Sequence, residues 1–399
     1  MKLTIRAAVL TAAAALLATA AAAPAGAAPV PAGTGAGHGG VQSVLDRAVA
    51  EAGLPGATAL VQDGRGGSWF GRAGVDDLAT GAQPRRADRF RIGSTTKTFV
   101  ATVMLQLVAE QRVGLDDPVE QWLPGLVDGN GYDGSRITVR QLLGQTSGIY
   151  NYVLTKTMLD DATGTPFLQH RFDHYSPEQL VRLALTSPPA FAPGTGWGYS
   201  DTNYVLAGLI IERATGHALA QEIEDRIVRP LHLTATYEPT GDTTGIKGPH
   251  GRGYSHLYLT GTDVPAYDVT ELNPSWGFAA GDMVSDAKDL NTFVGALLAG
   301  RLLPPAEQRE MLATQPTVQW IPDTEYGLGL ASVKLSCGTT VQGMGGAIEG
   351  SWSYTFGTPD GRHLLTTHVN GDWANGSWFP NPITLFTAEL NAEFCGTGS

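Results

Sequence analysis

The chain has 399 residues, is 42% hydrophobic and only 16% charged, so it can bury a large core in one domain or two. Its formal net charge of -12 excludes nucleic acid and an anionic membrane surface as main partners. The 51 glycines and 24 prolines imply many turns and loops.

Residues 1–28 read as a signal peptide. Lys2 and Arg6 give the charged start, Ala7 to Ala20 the apolar run, and Ala25-Gly26-Ala27 a small-residue cleavage site near Ala28. The expected location is therefore secreted and extracellular. No second apolar run is long enough to span a bilayer, so no stable membrane anchor is expected. Residues 29–40 read as a flexible linker. Gly35, Gly37 and Gly40 spell G-x-G-x-x-G, but no strand precedes them, which rules out a dinucleotide site.

Val41 to Ala52 then reads as a helix, followed by strands at Gly56–Val61 and Gly67–Arg72 around the turn Asp63-Gly64-Arg65-Gly66. A buried helix follows at Arg91–Leu107. From Leu115 the texture becomes loop-like, with Pro118 and Pro124 as breakers. Thr138 caps a helix expected to run to Gly148, and Ser176 caps another, with Pro177 at its first position and Gln179 completing a capping box. A rigid loop, PPAFAPGTGWGYSDTN, leads into an apolar helix at Tyr204–Ala214 that Gly216 ends. Asp286 to Ala299 is a further helix. The segments YGLGLASVKLSCG, TTVQGMGGAIEGSWSYTFGTP and HLLTTHVNG read as strands, and Pro382 to Glu393 as a closing helix. Strands at both ends with helices between predict an α/β (α+β) fold: a discontinuous α/β domain, 41–117 plus 274–399, with a mainly helical domain, 118–273, inserted.

The chemistry concentrates at Ser94 and Lys97. Residues at i and i+3 share a helix face, so this hydroxyl and amine can touch. The positive end of a helix favours an oxyanion there, which suits an activated serine nucleophile. The plainer alternative is an N-cap serine followed by an exposed lysine. In an exported chain, Cys337 and Cys395 are expected to form one disulfide, the alternative being two buried free thiols. His170 and His174 are four apart but have no evident third ligand, so no metal site is expected.

Five stretches in order decide between these readings: GSTTK, TVRQLLGQTSG, PGTGWGYSDTNYVLAGLIIERATG, SWGFAAGDMVSDAKDL and LSCGTTVQGMGGAIEG. With them, almost the whole chain after residue 40 resembles the serine penicillin-recognising enzymes. The likeness is greatest to the branch of secreted D-alanyl-D-alanine carboxypeptidases and class C β-lactamases. The resemblance implies an antiparallel sheet flanked by helices with an inserted all-helical domain. It implies Ser94 as acylated nucleophile, Lys97 as the group that helps remove its proton, and Tyr199 as general base or proton shuttle, its pKa lowered by nearby positive charge. It implies an oxyanion hole of the Ser94 and Ala347 backbone N–H groups. It places Asp201, Trp276, Met344, Gly345 and Gly346 at the substrate, although Trp276 also fits a core role. It implies no cofactor.

Two departures shift the expected substrate. Asp201 replaces the asparagine of the family's Tyr-x-Asn, and an ionised carboxylate cannot donate to a substrate carbonyl. Met344-Gly345-Gly346 stands where the family has Lys-Thr-Gly or His-Thr-Gly, and Ala331-Ser332-Val333 stands where some members carry an arginine. The grip on a terminal carboxylate is therefore dismantled, with Lys334 as the available substitute; esterase-like members carry a similar Trp-Gly-Gly. The expected function is a secreted serine hydrolase acting through a Ser94 acyl-enzyme, with a D-alanyl cell-wall peptide or a β-lactam as default substrate. The alternatives are an esterase or D-amino-acid amidase or peptidase without a carboxylate anchor, and a catalytically weak penicillin-binding protein. The sequence sets no oligomeric state.

Overall fold

The period-2 segments near the two ends of the chain meet in one antiparallel sheet. In the computed structural model, which describes residues 37–259, 263–373 and 382–396, eight strands pair. Their order is Ser68–Gly74, Gly56–Gln62, Leu364–Val369, Ser351–Gly357, Thr340–Ile348, Ala331–Lys334, Thr324–Tyr326 and Gln315–Pro316. The expected fold class holds: a large antiparallel sheet flanked by helices. The last two strands, and the helix Pro305–Leu312 before them, are not evident from sequence pattern because they are short and polar.

One sheet feature positions the site. Strand Thr340–Ile348 pairs with Ser351–Gly357 along its length, from Gln342 to Ile348, but with Ala331–Lys334 only as far as Gly343. Residues 344–348 therefore keep one open edge. The hairpin turns on Glu349-Gly350 and closes on the pair Ile348–Ser351. A two-residue turn closes on a hydrogen-bonded pair, and bonding alternates from there, so Gly345 and Ala347 direct their N–H groups to the open edge.

Against that edge lies a turn, Gly93–Thr95, that runs directly into the helix Thr96–Ala109. This helix is buried on nearly every side, since Phe99, Val100, Val103, Met104 and Leu107 are fully enclosed. Phe99 stacks on Phe293 of the helix Ala287–Leu298, with ring centroids 3.7 Å apart. Each such side chain contributes about 1.5–3 kcal/mol by burial, which fixes the helix and hence the turn at its head.

Between the two ends the chain forms helices of varied length from Val119 to Val228 and small strand pairs such as Tyr254–Ser255 with Tyr267–Asp268. Thr138 and Ser176 both cap helices through complete capping boxes, with Gln141 and Gln179. The Thr138 helix ends at Leu143, earlier than expected, because the chain turns at Gly144 and Gln145 adopts a positive φ of 63°. The apolar helix spans Asp201–Thr215, beginning three residues before its hydrophobic run, and ends at left-handed Gly216.

The expected signal peptide and residues 29–36 of the expected linker lie outside the described residues. Gly39 and Gly40, assigned to that linker, instead open the first helix, Gly39–Ala50. Glycine is a weak helix former, but this helix is held by Val41, Val44, Leu45 and Ala48 packing into the core. The disulfide Cys337–Cys395 is present, tying the turn before strand Thr340–Ile348 to the end of helix Pro382–Phe394.

Candidate active site

Ser94 sits where backbone constraint is tightest. Gly93 has a φ of +48°, and a Cβ there would fall 2.5 Å from the Ala347 nitrogen. A Cβ on Gly346 would fall 1.9 Å from the Ile92 carbonyl oxygen and 2.6 Å from the Ser94 nitrogen. Both positions must be glycine for the turn and the strand edge to approach this closely. The approach brings the Ser94 backbone beside the outward-facing N–H of Ala347. The turn is braced from behind: Ile92 N–H donates to the Met283 carbonyl, and the Ser351 hydroxyl donates to the Arg91 carbonyl.

The Lys97 ammonium is fully enclosed and donates three hydrogen bonds, to Ser94 Oγ at 2.9 Å, Asp201 Oδ1 at 2.6 Å and the Ala280 carbonyl at 2.7 Å. Asp201 opens its helix, and its second oxygen accepts from Asn151 Nδ2 at 3.0 Å. Asn151 Oδ1 in turn accepts the Asp201 backbone N–H. Both Asp201 oxygens are thus occupied by protein groups. Asp201, expected at the substrate, pairs with Lys97 and also lines the smaller cavity at Ser94.

Tyr199 lies over the same lysine, with Lys97 Nζ 4.9 Å from the ring centroid, and lines the cleft together with Ser94. Its ring stacks on Trp320 at 5.3 Å and meets Tyr326 edge-on at 6.5 Å. The expectation that positive charge lowers the Tyr199 pKa is overturned. Burial, reinforced by the Asp201 carboxylate, pushes the phenol well above its ordinary range, and the Ser94 side chain offsets only part of this. The phenol is protonated at rest.

Two cavities meet at Ser94 and Ala347. The larger is a solvent-open cleft of about 1830 Å³ walled by Trp320, Met344, Trp352, Tyr354 and Phe356, with Gly345 and Gly346 on its floor. Met344 is buried in this wall, and Lys334, at the outer end, is the one cationic side chain among the described lining residues. The smaller, about 470 Å³, holds Asp201, Trp276, Tyr152 and Glu349. Trp276 is half-buried there and its carbonyl accepts the Tyr152 hydroxyl.

Sequence reasoning missed Asn151, Tyr152, Trp320 and Glu349. Asn151 follows the stretch TVRQLLGQTSG by three residues and Glu349 lies inside LSCGTTVQGMGGAIEG, which was the available signal. His170 and His174 are not brought onto a shared ion: their partners are Asp173 and Asp242, and the described residues contain no group of metal-ligating side chains. Chemically, a serine flanked by an ammonium and a phenol, with the open strand edge at Ala347 packed beside its backbone, suits acyl transfer.

Comparison with known proteins agrees with this geometry. The Beta-lactamase family model matches residues 41–381. A D-stereospecific amidohydrolase from Streptomyces sp. is 47% identical, superposes with a TM-score of 0.82, and is matched over 90% of this chain and 99% of that one. A D-amino acid amidase from Ochrobactrum anthropi SV3 is 27% identical with a TM-score of 0.76, over 89% and 97% of the two chains. Esterase EstB from Burkholderia gladioli is 37% identical over 199 residues, 48% of this chain and 49% of that protein. The chain spans about half the length of the curated relatives it matches. The chain belongs to the Beta-lactamase family.

Proposed function

We propose that this serine hydrolase is a secreted, D-stereospecific amidase or peptidase that also accepts esters and does not require a free carboxylate. The observation that carries this reading is the cleft wall beside Ser94. Where a carboxylate anchor would sit, the strand presents Met344, Gly345 and Gly346, and Ala331 and Val333 line the neighbouring strand. A charge-assisted contact of the missing kind contributes about 1.5–3 kcal/mol, so its loss shifts preference from acid to amide or ester. The D-stereospecific amidohydrolase and D-amino acid amidase among the relatives support the same substrate class. The disulfide, and the lack among the described residues of any helix long and apolar enough to cross a membrane, support export.

In this mechanism Ser94 Oγ attacks the scissile carbonyl carbon. The Ser94 proton passes to the Tyr199 oxygen, and Tyr199 gives its own phenol proton to the leaving nitrogen or oxygen. A phenol protonated at rest acts as such a shuttle, not as a standing phenolate. Lys97, paired with Asp201, holds positive charge at Ser94 Oγ while negative charge develops there. The Ser94 and Ala347 N–H groups hold the oxyanion, each worth roughly 3–4 kcal/mol in the transition state. Water then attacks the ester by the same route in reverse, and its proton restores the Ser94 hydroxyl. Asp201 and Asn151 position Lys97.

The test is cleavage of an acyl-D-alanyl-D-alanine peptide beside its C-terminal amide and methyl ester, with Ser94→Ala as blank. The amide and ester are expected to exceed the free acid in kcat/KM by at least about tenfold, equivalent to one lost charged contact. A free acid cleaved best would restore the carboxypeptidase reading.

A further inference from the structure

The smaller cavity contains a charge that the mechanism does not use. Glu349 occupies the first position of the hairpin turn after strand Thr340–Ile348, where a carboxylate ordinarily reaches into water. Here it is only 4% exposed, and its Oε2 has no hydrogen-bond partner. A buried carboxylate with one oxygen unpaired is costly and can take a further donor. The other carboxylate in this cavity, Asp201, is already engaged by Lys97 and Asn151. The cation that acts on Glu349, Arg91, donates through Nη2 to the carbonyls of Thr244, Thr270 and Leu272, keeps Nε and Nη1 unpaired, and lines with Glu349 a neighbouring cavity, not the one at Ser94.

The opposite wall is shaped at a conformational cost. Leu257 and Tyr258 are consecutive non-glycine residues in the left-handed region, with φ of 52° and 55°, and Tyr258 lines the cavity. Strain of about 1–3 kcal/mol per residue persists where the surroundings enforce it, and it clusters at ligand sites.

We propose that Glu349 is the acceptor for a free α-ammonium group on the acyl part of the substrate, so that the preferred substrates are amides and peptides with an unblocked N-terminal D-residue. This rests on the amidase reading above and narrows it. Glu349 lies two residues beyond Ala347, about 7 Å along the strand. An α-nitrogen is three bonds from an oxyanion held at Ala347, and Ser94, Ala347 and Glu349 line the same cavity. The apolar side chain and the leaving group then lie in the larger cleft. Burial pushes the Glu349 carboxyl up to about 7, with Asp372 adding to the rise and Arg91 opposing it. A substrate ammonium supplies the countercharge that keeps it ionised.

The test uses D-phenylalanine amide, its N-acetyl derivative, and D-phenyllactamide, in which a hydroxyl replaces the ammonium. The wild type is expected to favour the free amine over both neutral analogues by at least about tenfold in kcat/KM, mostly through KM, as one charge-assisted contact requires. In Glu349→Gln that ratio is expected to fall at least about tenfold. Should the variant fail to fold, the wild-type ratio decides alone. A wild type that cleaves the acetylated amide as well as or better than the free amine overturns the ammonium site and leaves the amidase reading standing. So does a ratio unchanged in Glu349→Gln. A wild type that cleaves none of the three overturns both.

Discussion

Tyr199 is the residue whose environment departs furthest from what its position in the chain implied. A motif cannot show how a ring is enclosed. The ring is held between Lys97, Trp320 and Tyr326, and this burial keeps the phenol protonated. Tyr199→Phe keeps the stacked ring and removes only the shuttle. It is expected to lower kcat by about 10²–10⁴-fold with little change in Tm, as measured by steady-state kinetics and a thermal melt. A kcat within threefold of wild type would remove Tyr199 from the proton path. Ser94 and Lys97 were legible because their contact is local, three residues apart on one helical path. Asn151 and Glu349 were not, because their roles arise from long-range contacts. Glu349 sits at a hairpin tip, and it is buried there among Tyr152, Val153, Tyr258 and Trp276, which lie far from it in the chain.

At the scale of elements, the site depends on a strand edge meeting a helix head with no side chain between them. The central strands and the capped helices were readable from alternation and capping boxes. The open edge was not, since it follows from where pairing with Ala331–Lys334 stops, at Gly343. Gly346→Ala places a methyl against the Ile92 carbonyl and the Ser94 nitrogen. It is expected to cost about 1–3 kcal/mol of stability as overpacking. By parting the two oxyanion donors it should also lower kcat/KM by at least about 10²-fold. Kinetics paired with denaturant unfolding would check both losses. Full activity would show that the strand is free to shift without harm.

Across the whole molecule, the chain returns at its C-terminal end to seal the sheet with helix Pro382–Phe394, fastened by Cys337–Cys395. That helix buries Glu389 completely, and burial pushes its carboxyl up to about 8. The unfolded chain holds this proton less tightly, with a carboxyl near pH ~4.3. The favourable term is therefore full below that value and is lost as pH rises toward 8. Glu389→Gln removes the titration, so its Tm relative to wild type is expected to rise between pH 5 and pH 8; a constant difference would show that Glu389 does not titrate on unfolding in that range. The family and fold were legible because five ordered stretches are spread along the chain, whereas the substrate depends on which side chains line two cavities. The most direct test of the central claim is intact-mass analysis with peptide mapping after rapid quenching of a D-phenylalanyl ester reaction. One acyl group is expected on Ser94, gone once substrate is exhausted and absent from Ser94→Ala. Turnover without an adduct in wild type, or the same adduct in Ser94→Ala, would contradict it.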